Sequence, residues 1–289
     1  MIIELLSVAY GVLSMISFGL SDFLSKKVVE GVGYYRLVTY TQLVALVPVI
    51  LLEALYAPTL PSSPKTIVLV IASGMCSFSA LFFFYRGLEA GKASIITPEF
   101  SAYASVAIHH SFAVLGEVLS PSQIACITMT LIGVVTITVR SDSGEQSNAG
   151  IPYAVGAMFS AGVGAVLIRL VADDVGEIAS LFFNRVIAVL ALVVVGALFL
   201  RSHLLSTGCG GFPVKSIVLI GLTEFVAIFT FVVGISVGMV SLVATLSSAS
   251  PVVTVILAQT FLREKLGKVH KLAVLAVIAG ILLLSVAST

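Results

Sequence analysis

The sequence predicts an all-α integral membrane protein of ten transmembrane helices, arranged as two inverted five-helix repeats. Three observations carry this. Hydrophobic residues make up 59% of the 289-residue chain and charged residues 10%, with a mean hydropathy of +1.17, whereas about a quarter of a soluble domain is charged. Second, the pentapeptide LGEVL at 115–119 returns as LREKL at 262–266. Third, the lysine and arginine bias of the connections changes phase between the two halves.

At an offset of 147, Leu115, Glu117, Leu119 and Gly133 fall on Leu262, Glu264, Leu266 and Gly280, and Gly87, Gly91 and Ser94 on Gly234, Gly238 and Ser241. Nearer the start of each half the offset is 143: Tyr10, Met15, Ser17, Gly19 and Ala45 match Tyr153, Met158, Ser160, Gly162 and Ala188. The order is kept throughout, so the chain reads as diverged copies at 1–140 and 150–289, joined by a polar linker at 141–149.

A helix needs about 20 mainly apolar residues to cross a hydrocarbon core of about 30 Å. Breaking the chain at charges, Pro and Gly gives segments near 3–25, 35–54, 65–87, 93–114, 121–140, 151–170, 178–200, 215–236, 240–262 and 268–287. With no room for a separate soluble domain, the backbone must be satisfied within helices or a closed barrel. The first segment has a glutamate and no basic residue ahead of its apolar run, and its pattern recurs from Tyr153; it reads as a retained helix rather than a signal peptide.

Five spans per copy is odd, so tandem copies insert upside down relative to each other. Connections after spans one and three carry Lys26, Lys27, Arg36, Arg86 and Lys92, against Lys65 alone after two and four. In the second copy, connections after spans seven and nine carry Arg201, Lys215, Arg263, Lys265, Lys268 and Lys271, against Arg169 after six and eight. The positive-inside rule then places the linker in the cytoplasm and both termini outside the cell membrane.

These residues resemble the drug/metabolite transporter superfamily, in its ten-helix EamA-like branch. The turn Leu115, Gly116, Glu117, Leu119 is similar to that family's LGE.L turn before the last helix of each repeat, with Arg263 in the glycine's place in the second copy. The stretch FGLSDFLSKK at 18–27 is similar to the pattern that often closes its first helix. The resemblance covers nearly the whole chain. It implies a secondary transporter of small polar or amphipathic metabolites, such as an amino acid or related solute exporter or exchanger, working by alternating access.

Ionisable side chains inside spans cost about 2.5–3.5 kcal/mol each on insertion scales, so each needs a reason. Glu224 lies deepest, close to where inverted-repeat transporters hold substrate and ion. It reads as a proton- or substrate-binding group, or as the buried partner of Arg185. Asn184 and Arg185 sit in span seven, with Gln42 in Arg185's place in the first copy. A guanidinium facing a cavity suits a carboxylate or phosphate; alternatively it balances Glu224. In span four, Glu99, Tyr103 and His110 share a stripe, Glu99 and His110 being about 20° apart around the axis and roughly 16 Å apart along it. That suits a relay or cavity lining. Asp22 stands four residues before Lys26, which an i,i+4 pair explains, and beside a stripe of Ser14, Ser17, Ser21 and Ser25 that faces a cavity or another helix. The run SLVATLSSASP, with Ser247 and Ser248, reads first as close helix packing and second as substrate hydrogen bonding. The aromatic run LFFFYRG reads as mostly lipid-facing, with Tyr85 its one site candidate. Glu117 and Glu264 read as turn devices, each stabilising the N-terminus of the helix that follows it.

Net charge near +1 argues against a nucleic-acid partner. Cys76, Cys126 and Cys209 show no ligand spacing, so neither disulfide nor metal is expected. An enzyme would need a convergent nucleophile and base, and no GxSxG or HExxH pattern occurs; no P-loop points to ATP. No cofactor is expected. The expected partners are a small-molecule substrate, the lipid bilayer and protons, in a monomer or weak homodimer. A passive channel or an intramembrane enzyme is the alternative.

Overall fold

A computed structural model describes residues 2–56, 59–90, 96, 99–139, 150–199, 213–262 and 268–287. The linker 141–149, Glu264, Cys209, Lys92 and Pro98 lie outside the described residues.

The described chain is helical: α1 (Ile2–Val32), α2 (Tyr34–Leu55), α3 (Pro64–Ala90), α4 (Tyr103–His110) continuing into a π-helical turn (Ser111–Leu115), α5 (Pro121–Val139), α6 (Ile151–Val175), α7 (Glu177–Phe199), α8 (Val214–Val237), α9 (Val240–Ser248), α10 (Ser250–Leu262) and α11 (Lys268–Ala287). Among the described residues, seven stretches are long and apolar enough to cross a membrane: α1, α2, α3, α6, α7, α8 and the α9–α10 pair. Pro121–Thr136 in α5 and Leu272–Leu284 in α11 are shorter apolar helices. Prolines open α3 and α5, where a missing amide hydrogen costs nothing.

Between α1 and α2 stands a single residue, Gly33, with φ 84° and ψ 146°; between α6 and α7 stands Gly176, with φ 88° and ψ 164°. Side chains rarely tolerate this backbone region. The two turns also bond alike. Gly33 N–H donates to the Val29 carbonyl and Gly176 N–H to that of Ala172, at 2.8 Å each, and their own carbonyls accept from Leu37 and Ser180 at 3.0 Å each. Every pair is separated by the offset of 143 found in the sequence.

Helix packing pairs off in the same way. The most extensive interfaces are α3 with α6 and α1 with α8; α3 against α7 corresponds to α8 against α2, and α4 against α6 to α1 against α9 and α10. Glycines set the closest approaches. A methyl on Gly162 would come within 2.5 Å of Val106 Cβ and 2.8 Å of the Tyr103 carbonyl, and one on Gly19 within 2.5 Å of Val253 Cβ and 2.6 Å of the Ser250 carbonyl. Val106 and Val253, like Tyr103 and Ser250, are 147 apart. Gly74 on Ile187 and Gly221 on Val44 repeat the arrangement. Small residues let backbones come this near where lipid supplies no hydrophobic drive.

Two expectations need correcting. Spans four and nine are not continuous. α9 ends before Ala249 and α10 begins at Ser250, and in the first half a turn at Ala102 precedes α4. The carbonyls of Ala102 and Ala249 accept three residues on, from Ser105 at 2.9 Å and Val252 at 3.0 Å. Pro251 lacks an amide hydrogen and accounts for the second break; Ala104 in its place accounts for nothing in the first. Nor is LFFFYRG mostly lipid-facing: Phe84 and Tyr85 are buried, Phe84 against Phe100 and Phe83 against Tyr153.

Glu117 also differs from its reading. It does not hold the helix that follows it. Its carboxylate accepts from the amides of Val240 at 2.6 Å and Ser241 at 3.1 Å, and from the Ser241 hydroxyl, so it caps α9 in the other half. The reason is local, because α5 carries its own capping box. Ser120 Oγ accepts from Gln123 N–H at 3.2 Å, and Gln123 Oε1 from Ser120 N–H at 2.9 Å, which satisfies that terminus reciprocally. Across the same junction, Arg169 donates to the carbonyls of Ile235, Ser236 and Gly238 at the end of α8. The two charges match the dipole ends they meet.

Candidate functional site

The central cavity lies where the broken helices meet the rest of the bundle. Its volume is about 160 Å³, well above the roughly 10–15 Å³ that one water needs. Helices from both halves contribute: Phe18 and Asp22 from α1, Gln42 from α2, Ser77 from α3, Asn184 and Arg185 from α7, and Glu224 from α8. Ser101 and Tyr103 flank the break at Ala102, and Ser248 and Ser250 flank the break at Ala249; all four line the cavity. A discontinuous helix there frees backbone groups that only a polar cavity or a ligand can satisfy.

Glu224 lies ten residues past the start of α8, about 15 Å along a helix about 36 Å long, and is 8% exposed. Its carboxylate accepts from Gln42 Nε2, and the Tyr85 side chain approaches it from α3. Arg185 is 6% exposed. Among the described residues it makes no ion pair; the pair recorded there is Arg169 with Asp173, at 2.9 Å on the surface. The direct Glu224–Arg185 pair, one of the two readings open from the sequence, is therefore absent, although the two charges still feel each other across the cavity. Asn184 Nδ2 donates to Ser77 Oγ at 3.0 Å.

Three lining residues each bury a polar atom that has no hydrogen-bond partner among the described residues: Gln42 Oε1, Arg185 Nε and Ser247 Oγ. An orphaned buried group costs about 1–3 kcal/mol. Three around one cavity mark it as a place for a polar occupant. Phe18, Phe100, Tyr103 and Phe231 supply apolar wall beside them.

Of the residues singled out from the sequence, Asp22, Gln42, Tyr103, Asn184, Arg185, Glu224 and Ser248 share this cavity. Glu99 and His110 do not. Glu99 is exposed, and His110 Nδ1 stands 2.8 Å from the Val106 carbonyl of its own helix, which leaves the Glu99–Tyr103–His110 relay unassembled. The break at Ala102 explains this: a stripe computed for a regular helix loses its register across a turn. Asp22 faces Ser250 and Glu224, while the Lys26 side chain proposed as its partner lies outside the described residues. Of the serine stripe, Ser14 faces another helix, donating to the Ala227 carbonyl at 3.0 Å. Sequence reasoning missed Phe18, Phe100, Ser101, Ser160, Phe231 and Ser250 as lining residues. For Ser101 and Ser250 a signal existed, since one stands where the repeat puts Ser248 and the other directly before Pro251.

Comparison with known proteins decides the family. A model described as the EamA-like transporter family matches residues 5–139 and again 148–286. The chain belongs to the EamA-like transporter family. Among solved structures, one crystal structure of a protein superposes on 96% of this EamA-like chain and 95% of its own length, with a TM-score of 0.79 at 18% identity; at that identity the likeness is one of fold. No curated protein matches the sequence.

Proposed function

We propose that this EamA-like protein is a secondary active transporter of small polar or amphipathic metabolites, such as amino acids or related solutes. Ten spans form two inverted five-helix copies that rock about the central cavity, with Glu224 as the proton-exchanging group. The observation that carries this is the hydrogen bond from Gln42 of one copy to Glu224 of the other, inside a cavity that both copies line. A carboxylate held between the moving halves can exchange protons only while the cavity opens, which ties protonation to access. The paired interfaces and the matched breaks at Ala102 and Ala249 support a two-fold relation between the copies. Linker and odd-numbered connections face the cytoplasm of a cell membrane and both termini face out. Cysteines placed at 141–149 should therefore resist impermeant thiol reagents in intact cells; labelling there reverses the orientation.

The test is flux in liposomes. Saturation with counterflow is expected of a transporter, linear flux of a channel, and covalent change of the solute of an enzyme. Glu224→Gln should keep binding but lose the pH dependence of flux, because glutamine mimics the protonated acid and cannot titrate. Should pH-driven flux survive in that variant, Glu224 is not the coupling group.

A further inference from the structure

Among the described residues, the charges around the cavity do not balance. Asp22 and Glu224 bring two carboxylates, and Arg185 is the one cation among the described lining residues. Its guanidinium carries five donors and makes no hydrogen bond to another described residue, with Nε buried and unpartnered. Glu224 is turned instead to Gln42 and Tyr85. In the first copy the place of Arg185 is taken by neutral Gln42 and that of Glu224 by Ser77. The charge is thus a property of one copy, not of the scaffold.

We propose that Arg185 anchors an anionic group of the substrate, a carboxylate or a phosphate, and that the Asp22–Glu224 pair receives a proton in the same binding event. This rests on the transporter reading above. A guanidinium fork fits either anion with two parallel hydrogen bonds. An anion added to one guanidinium and two carboxylates leaves excess negative charge against walls of Phe18, Phe100 and Phe231, where an unbalanced charge is costly. The anion also cancels the field that Arg185 exerts on Glu224 across the cavity. A proton on the carboxylate pair removes both costs. Among the described residues, Asp22 from α1, Gln42 from α2, Tyr85 from α3 and Arg185 from α7 act on Glu224, and Tyr103, Ser160, Ser247 and Ser248 line the same cavity. Among these described groups, only Asp22 and Glu224 are carboxylates that could take the proton. A zwitterionic solute brings its own ammonium to the carboxylates and needs no proton.

Calorimetry on the full chain in nanodiscs, in two buffers of different ionisation enthalpy, counts the protons bound. Four ligands with one ring separate the possibilities: phenylacetate, phenyl phosphate, phenylalanine and phenethylamine. Phenylacetate or phenyl phosphate should bind with uptake of about one proton, and which of the two binds tells carboxylate from phosphate. Phenylalanine should bind with none. Arg185→Gln should weaken the anion on the order of 30-fold or more, and Arg185→Lys should recover part of the loss, since it keeps charge without the fork. Anion binding without proton uptake in the unmodified protein overturns the proposal, as does binding of phenethylamine when neither anion binds, or of no ligand at all. Saturable counterflow is measured separately, so a failed anchor leaves the transporter reading standing.

Discussion

The two halves of this protein agree in backbone and disagree in chemistry. Gly33 and Gly176 make the same turn, Gly19 and Gly162 accept the same valine at the offset of 147, and Ala102 and Ala249 break the same helix. At the cavity the correspondence fails: by the repeat offsets Gln42 stands in the place of Arg185, Ser77 in that of Glu224, Thr41 in that of Asn184, and Ala165 in that of Asp22. Close backbone approach tolerates one residue, so both copies keep glycine. A cavity wall tolerates many, so the copies part there. Position in the scaffold is shared, whereas charge belongs to one copy at a time.

The strongest way to break the comparison is at the glycines. Gly162→Val should cost about 3 kcal/mol, since overpacking a tight contact typically costs 1–3 and here a backbone carbonyl blocks the new side chain as well. Gly19→Val should cost about the same, because Val253 and the Ser250 carbonyl stand where Val106 and the Tyr103 carbonyl do. Thermal melting of both variants checks this. Equal losses support a scaffold shared by the copies; a large loss in one and none in the other breaks it.

A smaller effect is expected at the α8–α9 junction. Glu117→Ala should cost roughly 1–2 kcal/mol as the amides of Val240 and Ser241 lose a charged cap. Melting should fall less than with Gly162→Val, and cysteine labelling at Ser241 should rise as the start of α9 loosens. Unchanged melting and labelling would show the cap to be dispensable.

Much of this was legible in the sequence because lipid permits little else. A run of twenty apolar residues has to become a helix, and tandem similarity at the offsets of 143 and 147 already paired Gly19 with Gly162. Arg185 and Glu224 were legible for the same reason, being costly in a span unless something polar faces them, whereas Asp22 had a cheaper reading as an i,i+4 partner of Lys26. What stayed hidden depended on tertiary contact. Glu117 looked like the cap of its own next helix, and only the structure shows that Ser120 and Gln123 fill that role and that Glu117 crosses to α9. The stripe from Glu99 to His110 assumed a regular helix across Ala102. Phe84 read as lipid-facing because an apolar run looks the same whether lipid or protein covers it, whereas Tyr85 was the run's one site candidate.

Ser101 and Ser248 offer the most direct test of alternating access, since they occupy equivalent places beside the two helix breaks and both line the cavity. In protein with Cys76, Cys126 and Cys209 replaced by serine, single variants Ser101→Cys and Ser248→Cys would be exposed to an impermeant thiol reagent from each side of oriented membrane vesicles. The account predicts that each cysteine reacts from both sides, and that a saturating substrate or a fixed pH gradient raises its rate from one side while lowering it from the other. Reaction from one side only, unmoved by substrate or pH, would contradict it.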